Sequence, residues 1–223
     1  MKKRVLIVGG VAGGASTAAR LRRLDEDVEI VVFERGPYVS FANCGLPYHV
    51  GNVIPHEGSL LVASRELFRD RFAIDVHTDH EVTSIDRAAQ SMRVRDLTTG
   101  RERDERWDFV VLSPGAAPLR PPLPGLDLPG VFTVKTIPDT RRIRAFLDER
   151  PRTHATVVGG GFIGLEMAEN LRERGLKVTL VEKLSQVMPP LDADMAGFIA
   201  LHLRERGIDL RLSTGLAGVE ERG

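Results

Sequence analysis

The sequence predicts an α/β protein in which a strand–turn–helix–strand unit with a parallel sheet occurs twice. Three observations support this. A run of aliphatic residues leads into a cluster of glycines near the start of the chain and again after residue 153. Each cluster is followed by apolar residues at helical spacing, and each unit closes with a second aliphatic run that ends at a glutamate. Two such units in one chain are far more specific than either would be alone.

In the first unit, a strand at residues 5–8 runs into a glycine turn and a helix that extends to Leu24. Glycine suits this turn because a Cβ forbids some of its conformations, and because a dinucleotide pyrophosphate must approach the backbone at the helix N-terminus. The next strand, at residues 29–33, ends at Glu34, whose carboxylate could accept hydrogen bonds from a ribose diol. Val11 occupies the second glycine position of G-x-G-x-x-G, so this motif alone would equally fit a turn without a ligand. The glycines of the turn are Gly9, Gly10, Gly13 and Gly14.

The second unit carries a complete G-x-G-x-x-G motif at residues 159–164. A strand at residues 155–158 precedes the motif, and the helix after it is expected to end at Gly175. The following strand ends at Glu182, in the same place as Glu34 in the first unit. A helix over about residues 194–206 and a strand at 208–212 extend this unit.

Strand-like runs at residues 74–76, 80–85, 92–97 and 107–112 predict an antiparallel meander appended to the first unit. A proline-rich link at residues 120–125 then leads to a helix that starts near Pro138. We therefore expect two domains, residues 1–118 and residues 119–223.

The only cysteine, Cys44, lies in a segment without regular periodicity. A lone free cysteine often packs as a small buried hydrophobic residue. Here the neighbours are polar or flexible, and Pro47 suits the first turn of a helix that begins near Cys44, where the helix dipole favours the thiolate. On residue chemistry alone, a buried cysteine and a reactive one are equally well supported.

Composition narrows the class of protein. The chain has 31 basic and 31 acidic residues, so no bulk charge favours binding to nucleic acid or to an anionic membrane. One cysteine excludes an internal disulfide framework and fits a reducing compartment. No apolar run is long enough to span a bilayer, and the six histidines lack a zinc-binding spacing. These features predict a soluble cytoplasmic protein with no metal, nucleic acid or membrane partner.

The run at residues 40–48, SFANCGLPY, together with the two glycine turns resembles the single-cysteine branch of the flavin-dependent pyridine nucleotide-disulfide oxidoreductases. Within that branch it is most similar to the coenzyme A-disulfide reductases. The similarity runs along essentially the whole chain and includes residues 113–115 and 191–195. It implies the FAD/NAD-linked reductase fold with two Rossmann-like units, the second incomplete. It also implies that the chain corresponds to the N-terminal portion of a longer protein, which would form a homodimer.

The resemblance implies that the first unit binds FAD and the second binds NADH. NADH is expected over NADPH because Glu182 favours a free ribose 2′-hydroxyl and repels a 2′-phosphate. The expected FAD contacts are Gly9, Gly10, Ala12, Gly13, Gly14, Glu34, Arg35, Asn43, Val82, Ser113, Pro114 and Gly115. The expected NADH contacts are Gly159, Gly161, Phe162, Ile163, Gly164, Glu166 and Glu182.

By the same resemblance, electrons from NADH pass through FAD to Cys44, which cycles between a thiol and a mixed disulfide with coenzyme A. The substrate would be coenzyme A disulfide or a related disulfide or persulfide. Its expected contacts are Ser16, Arg20, Arg23, Ser40 and Asn43, although a solvated helix face is the simpler interpretation of the arginines.

Two alternatives stay open. One is an NADH oxidase or peroxidase of the same family, against which Ala12 argues, because the best known peroxide-reducing relatives carry a histidine at the corresponding position. The other is a catalytically silent dinucleotide-binding module in which Cys44 is incidental.

Overall fold

The computed structural model describes residues 2–221. The elements in chain order are β1 (Arg4–Val8), α1 (Ala12–Leu24), β2 (Glu29–Phe33), α2 (Leu46–Val50), α3 (Arg65–Phe72), β3 (Ile74–His77), β4 (His80–Asp86), β5 (Ser91–Asp96), β6 (Glu102–Arg106), β7 (Phe109–Leu112), α4 (Ile137–Glu149), β8 (His154–Val158), α5 (Phe162–Glu173), β9 (Lys177–Val181), α6 (Ala193–Glu205) and β10 (Asp209–Arg211), with 3-10 turns at Asn43–Gly45 and Glu57–Leu60. None of the helices in this range combines the length and the hydrophobicity that a bilayer crossing requires.

The chain folds as two compact units that alternate along the sequence. The first consists of the described chain up to Ala42 together with Gly58–Ala117. The second consists of Asn43–Glu57 together with the described residues from Pro118 onward. The segment that carries Cys44 therefore packs with the second unit. The domain boundary expected between residues 118 and 119 stays a prediction.

The first unit is built on a parallel sheet with strand order β3-β2-β1-β7. Alternate residues of a strand point to opposite faces, and β1 shows this clearly. Val5 and Ile7 pack in one apolar cluster with residues of α1 and α3, whereas Leu6 packs in another with Met92 and Val94 of the meander. The parallel sheet thus lies between a helical layer and an antiparallel layer.

The predicted antiparallel meander exists, but two of its expected strands are wrong. Residues 74–76 belong to β3, which pairs in parallel with β2, and residues 109–112 form β7, which pairs in parallel with β1. The third strand of the meander is instead β6, and all five of its residues are charged. It has no apolar alternation to reveal it, and ion pairs such as Arg93–Asp104 and Arg95–Glu102 join it to β5.

The second unit contains a three-stranded parallel sheet in the order β10-β9-β8. The expected helix and strand after Glu182 are confirmed as α6 and β10. The expected end of α5 is also confirmed, because Gly175 adopts a φ of +87° and Leu176 N donates to Leu171 O at 3.2 Å. Thr136 and Asp139 form a capping box that starts α4.

A stack of aromatic rings closes the carboxyl edge of the first sheet. The rings of Phe33 and His77 lie 5.3 Å apart, and those of His77 and His80 lie 5.1 Å apart. Burial lowers the pKa of His77 below its ordinary 6.5, and Arg103 and His80 lower it further against the opposing effect of Asp75. Burial therefore disfavours the protonated form of His77 in the folded chain.

We expect the first unit to lose stability in mild acid because of His77. The unfolded chain binds a proton at His77 more readily than the folded chain. The contribution of neutral His77 to the free energy of unfolding is therefore complete above pH 6.5. It is lost as the pH falls from 6.5 towards the lower pKa that His77 has in the folded chain. His77→Gln should flatten this part of the profile of unfolding free energy against pH, measured by urea denaturation. His154→Gln, at an exposed position of β8, is the control, and a His77→Gln profile as steep as that of the wild type would contradict the prediction.

Candidate functional site

The first glycine turn connects β1 to α1, and its amides donate to the last residue of β2 and to the glutamate that follows it. Gly9 N donates to Phe33 O at 2.8 Å, and Gly10 N donates to Glu34 Oε2 at 2.7 Å. Gly9 adopts a φ of +93°, and a Cβ there would lie 2.0 Å from Ser113 O. A Cβ on Gly14 would lie 1.7 Å from Gly9 O. Only glycine fits these two positions, because in each case the obstructing atom belongs to the backbone.

The second glycine turn repeats these bonds. Gly159 N donates to Val181 O at 2.8 Å, Gly160 N donates to Glu182 Oε2 at 2.6 Å, and a Cβ on Gly164 would lie 1.9 Å from Gly159 O. The same structural turn is therefore built twice.

The repetition extends to the loop that covers each turn. Ser40 N donates to Gly10 O and Met188 N donates to Gly160 O, both at 2.8 Å. Both donors have a left-handed backbone, with φ of 48° and 49°. Ser40, expected in the substrate site, thus has a structural role that the sequence did not indicate.

The two glutamates are anchored to the chain itself. Besides its bond to the turn, Glu34 accepts from Gly36 N at 2.7 Å, and Glu182 accepts from Leu184 N at 2.8 Å. The sequence predicted ribose contacts for these side chains and gave no sign that they also brace the turns. A carboxylate has about four acceptor positions, so each retains capacity for a ribose diol.

The helices that follow the turns begin without a side-chain cap in the described structure. The N-cap residues are Val11 for α1 and Gly161 for α5, and neither offers a side-chain oxygen. A Cβ on Gly161 would meet no atom of the described chain within 4 Å. Because the first amides of a helix need an external acceptor, both turns fit the pyrophosphate of a dinucleotide.

Ser113, the residue after β7, lies against the first glycine turn. Its amide donates to Val8 O at 2.8 Å, and its Oγ lies 3.1 Å from where a Cβ on Gly13 would be. Pro114 and Gly115 follow it at exposed positions. The structure thus brings together Gly9, Gly13 and Ser113, three of the residues expected to contact FAD.

The other expected FAD contacts differ in how far they are free to bind a ligand. Ala12 is exposed at the start of α1, and Arg35 is exposed, with an ion pair to Glu81 at 3.7 Å. Val82 packs against the apolar cluster between the sheet and the meander, beside a register shift in β4. Its side chain is thus occupied by packing. Asn43 lies in the 3-10 turn with Cys44.

Two large apolar side chains are exposed beside the second turn. Phe162 is 65% exposed and Ile163 is 58% exposed, at the first two positions of α5. Glu166 follows one turn later, and burial together with the nearby Glu169 raises its pKa above the ordinary value. An apolar ring placed against this end of α5 would cover surface that is otherwise in water.

The expected coenzyme A residues on α1 share one exposed stripe. Ser16, Arg20 and Arg23 are all exposed and are spaced four and three residues apart, as on one face of a helix. Arg22, by contrast, is committed to structure, since it donates to Phe72 O at 2.7 Å and to Ala73 O at 2.9 Å. Arg22 thus has a structural role, whereas Arg20 and Arg23 are exposed and available to bind a ligand.

The thiol of Cys44 is exposed, which rules out the buried alternative. The α-helix itself begins at Leu46, so Cys44 lies in the 3-10 turn that leads into α2. Tyr48 lies near Cys44, and no pattern in the sequence indicated a role for it. Burial raises its pKa, and so do the charges of Glu166, Glu169 and Cys44. The thiol segment thus shares an electrostatic environment with the first half of α5.

Within residues 2–221, no group of three or more histidine, cysteine, aspartate or glutamate side chains is arranged to hold a metal ion.

Fold and site together define a protein with two dinucleotide-type turns and an exposed cysteine. The chain belongs to the pyridine nucleotide-disulphide oxidoreductase family, which its residues 3–223 match.

Particular relatives are more informative. The chain is 38% identical to the coenzyme A disulfide reductase of Staphylococcus haemolyticus, over 98% of this chain and 49% of that protein. It is 47% identical to the reduced CoADR-RHD of Bacillus anthracis, with a TM-score of 0.95 over 99% of this chain and 40% of the other. It is 35% identical to an NAD-dependent persulfide reductase from A. fulgidus, with a TM-score of 0.92 over 97% and 41%. The chain thus spans about half the length, or less, of these relatives.

Proposed function

We propose that this chain belongs to an NADH-dependent flavoprotein reductase that reduces coenzyme A disulfide, or a related disulfide or persulfide, at Cys44. The observation that carries the proposal is the repeated glycine turn together with one exposed thiol in the run SFANCGLPY. Two dinucleotide sites suit transfer of electrons from one cofactor to another, and the thiol supplies the terminal acceptor. The relatives named coenzyme A disulfide reductase support the substrate class.

Separate groups of residues would bind the two cofactors. The first turn and Ser113 would hold FAD, and the second turn, with Phe162, Ile163 and Glu166, would hold NADH. Glu182 is buried with both carboxylate oxygens bonded to backbone amides, so it cannot easily move aside for a 2′-phosphate. This favours NADH over NADPH.

The thiolate of Cys44 attacks one sulfur of the substrate disulfide. A bond forms between Cys44 and one coenzyme A, the original S–S bond breaks, and the other coenzyme A leaves as a thiolate. The bound flavin supplies the chemistry that carries two electrons from NADH to this mixed disulfide. The second coenzyme A is then released, and Cys44 returns to the thiolate. Overall, one NADH and one proton reduce one disulfide to two thiols.

The test uses the purified chain loaded with FAD under anaerobic conditions. Addition of NADH should bleach the flavin absorbance, and coenzyme A disulfide should leave a reductant-labile coenzyme A adduct on Cys44, detected by mass spectrometry. Reoxidation by oxygen or peroxide in preference to the disulfide would favour the oxidase or peroxidase alternative. A chain with no flavin affinity and no adduct would favour the silent module.

The exposed arginines of α1 should affect selectivity among disulfides. Because loss of a charge-assisted hydrogen bond costs about 1.5–3 kcal/mol, Arg20→Ala or Arg23→Ala should slow adduct formation with coenzyme A disulfide by about tenfold. The rate with a small uncharged disulfide should not change, because the coenzyme phosphates are absent. Arg87→Ala removes an equally exposed arginine from the turn after β4 and is the control. Equal slowing with both disulfides would contradict a role in recognising the coenzyme.

A further inference from the structure

We propose that Arg144 and Arg174 are positioning residues for Cys44, because they fix the short helix behind the thiol onto α4 and α5. This inference rests on the function proposed above for Cys44. Neither arginine belongs to a glycine turn, and neither is among the residues that the sequence pointed to.

The helix that follows Cys44, α2, is too short to be stable by itself. α2 has five residues and follows directly on the 3-10 turn that contains Cys44. Helices this short are unstable in isolation, because nucleation costs more than one or two hydrogen bonds return. The position of the thiol therefore depends on what α2 packs against.

Two guanidinium groups bind the last carbonyls of α2. Arg144 of α4 donates to His49 O, and Arg174, at the end of α5, donates to Val50 O at 3.0 Å. Arg174 also binds Asp148 of α4, and its side chain is only 11% exposed. Cations at a helix C-terminus complement both the free carbonyls and the dipole. The two arginines thus tie α2 to two longer helices at once.

Close packing supports the same contact. Val50 is buried in the apolar core of the second unit, in one cluster with Ile143 and Met167. Gly51 lies so close to α5 that a Cβ there would be 2.2 Å from Asn170 Oδ1. Asn170 is itself buried and bonded to Glu166 O through its Nδ2, so it has little freedom to move away. Glycine at position 51 lets α2 and α5 approach each other.

The far end of the segment is held by a further arginine. Arg141 of α4 donates to both carboxylate oxygens of Glu57, each at 2.5 Å. The segment from Asn43 to Glu57 is therefore fixed in its middle and at its end, while the thiol at its beginning is exposed. Loss of the middle contacts would free the part nearest to Cys44.

The test compares Arg174→Ala, Arg144→Ala and Arg174→Lys in the FAD-loaded chain by three measurements: hydrogen exchange, adduct formation with coenzyme A disulfide, and alkylation by iodoacetamide. Hydrogen exchange of the amides at residue 46 and residues 48–51 should accelerate by about tenfold or more in both alanine variants, because a charge-assisted bond is lost. Formation of the coenzyme A adduct on Cys44 should slow by about tenfold, whereas alkylation by iodoacetamide, which needs no particular orientation, should not slow. Arg174→Lys should restore part of both losses, since it keeps the charge.

The matched control is Arg172→Ala. Arg172 also lies on α5 and also donates to a carbonyl at a helix end, Arg206 O at 3.2 Å, but that helix is α6. It should leave exchange at residues 46–51 and adduct formation unchanged.

Three results would overturn the proposal: unchanged exchange at residues 46–51 in both alanine variants, equal slowing by Arg172→Ala, or faster exchange throughout the second unit, which would make these residues general determinants of folding. Failure of the proposed function would look different, because the wild-type chain itself would then form no adduct, while the exchange measurement would still report on α2.

Discussion

Cys44→Ser should abolish disulfide reduction while leaving cofactor binding intact. A serine hydroxyl is not ionised near neutral pH and cannot form a mixed disulfide, so the step that captures the substrate is lost. Removal of a nucleophile from other enzymes lowers turnover by about a thousandfold or more, and we expect a loss of at least that size. Stopped-flow reoxidation of the NADH-reduced, FAD-loaded chain by coenzyme A disulfide measures the effect directly.

The same variant separates the two halves of the reaction. Because Cys44 is exposed and lies outside both glycine turns, Cys44→Ser should keep the flavin affinity and the NADH bleaching rate of the wild type. Ser59→Ala, at an exposed position of the 3-10 turn Glu57–Leu60, is the control and should leave flavin affinity, bleaching and reoxidation unchanged. Reoxidation of Cys44→Ser by coenzyme A disulfide at the wild-type rate would show that the thiol is not the acceptor.

Gly161→Ala should weaken NADH binding without unfolding the chain. The φ of Gly161 is −83°, which alanine adopts freely, and a Cβ there would meet no described atom within 4 Å. We expect the unfolding free energy to change by less than about 1 kcal/mol, as for glycine-to-alanine changes at other N-caps. The added methyl group would instead occupy the space into which the pyrophosphate must come, so NADH affinity should fall by about tenfold or more.

Gly164→Ala, three residues further on, should have the opposite profile. Its Cβ would lie 1.9 Å from the carbonyl oxygen of Gly159, and neither backbone can move without opening the turn. Overpacking of this kind costs about 1–3 kcal/mol or more, so the second unit should unfold at lower urea concentration. Titration calorimetry with NADH and urea denaturation of both variants test the pair. Equal loss of stability in the two would mean that Gly161 is required by the fold and not by a ligand.

The sequence predicted the repeated units well because their signals are local. Aliphatic runs, glycines and the acid at the end of each second strand are read directly from the chain, and both turns are present as expected. It could not predict that Glu34 and Glu182 brace the turns, since those bonds join residues more than twenty positions apart. Pairing partners were equally hidden. β3 and β7 look like members of a meander until they are seen beside β2 and β1, and the charged strand β6 shows no apolar pattern.

The contacts of α2, the helix that follows Cys44, were the hardest feature to predict from the sequence. The run around the thiol is distinctive, but nothing in it indicates that its helix packs with residues about a hundred or more positions later. Arg144 and Arg174 look like ordinary charged residues on amphipathic helices. Their role depends on carbonyl groups, which carry no sequence signal, at the end of a helix too short to be predicted from periodicity.

The alternation of the two units along the chain constrains any attempt to dissect the protein. A fragment cut after residue 117 would retain α2 but lose α4 and α5, the helices on which α2 packs. The side chain of Val50 would then lose its apolar partners on these helices and become exposed to water. Its carbonyl group would lose the hydrogen bond from the guanidinium of Arg174. Neither unit is a contiguous stretch of polypeptide, so expressing the halves separately would disrupt the cysteine segment even where each parallel sheet stayed whole.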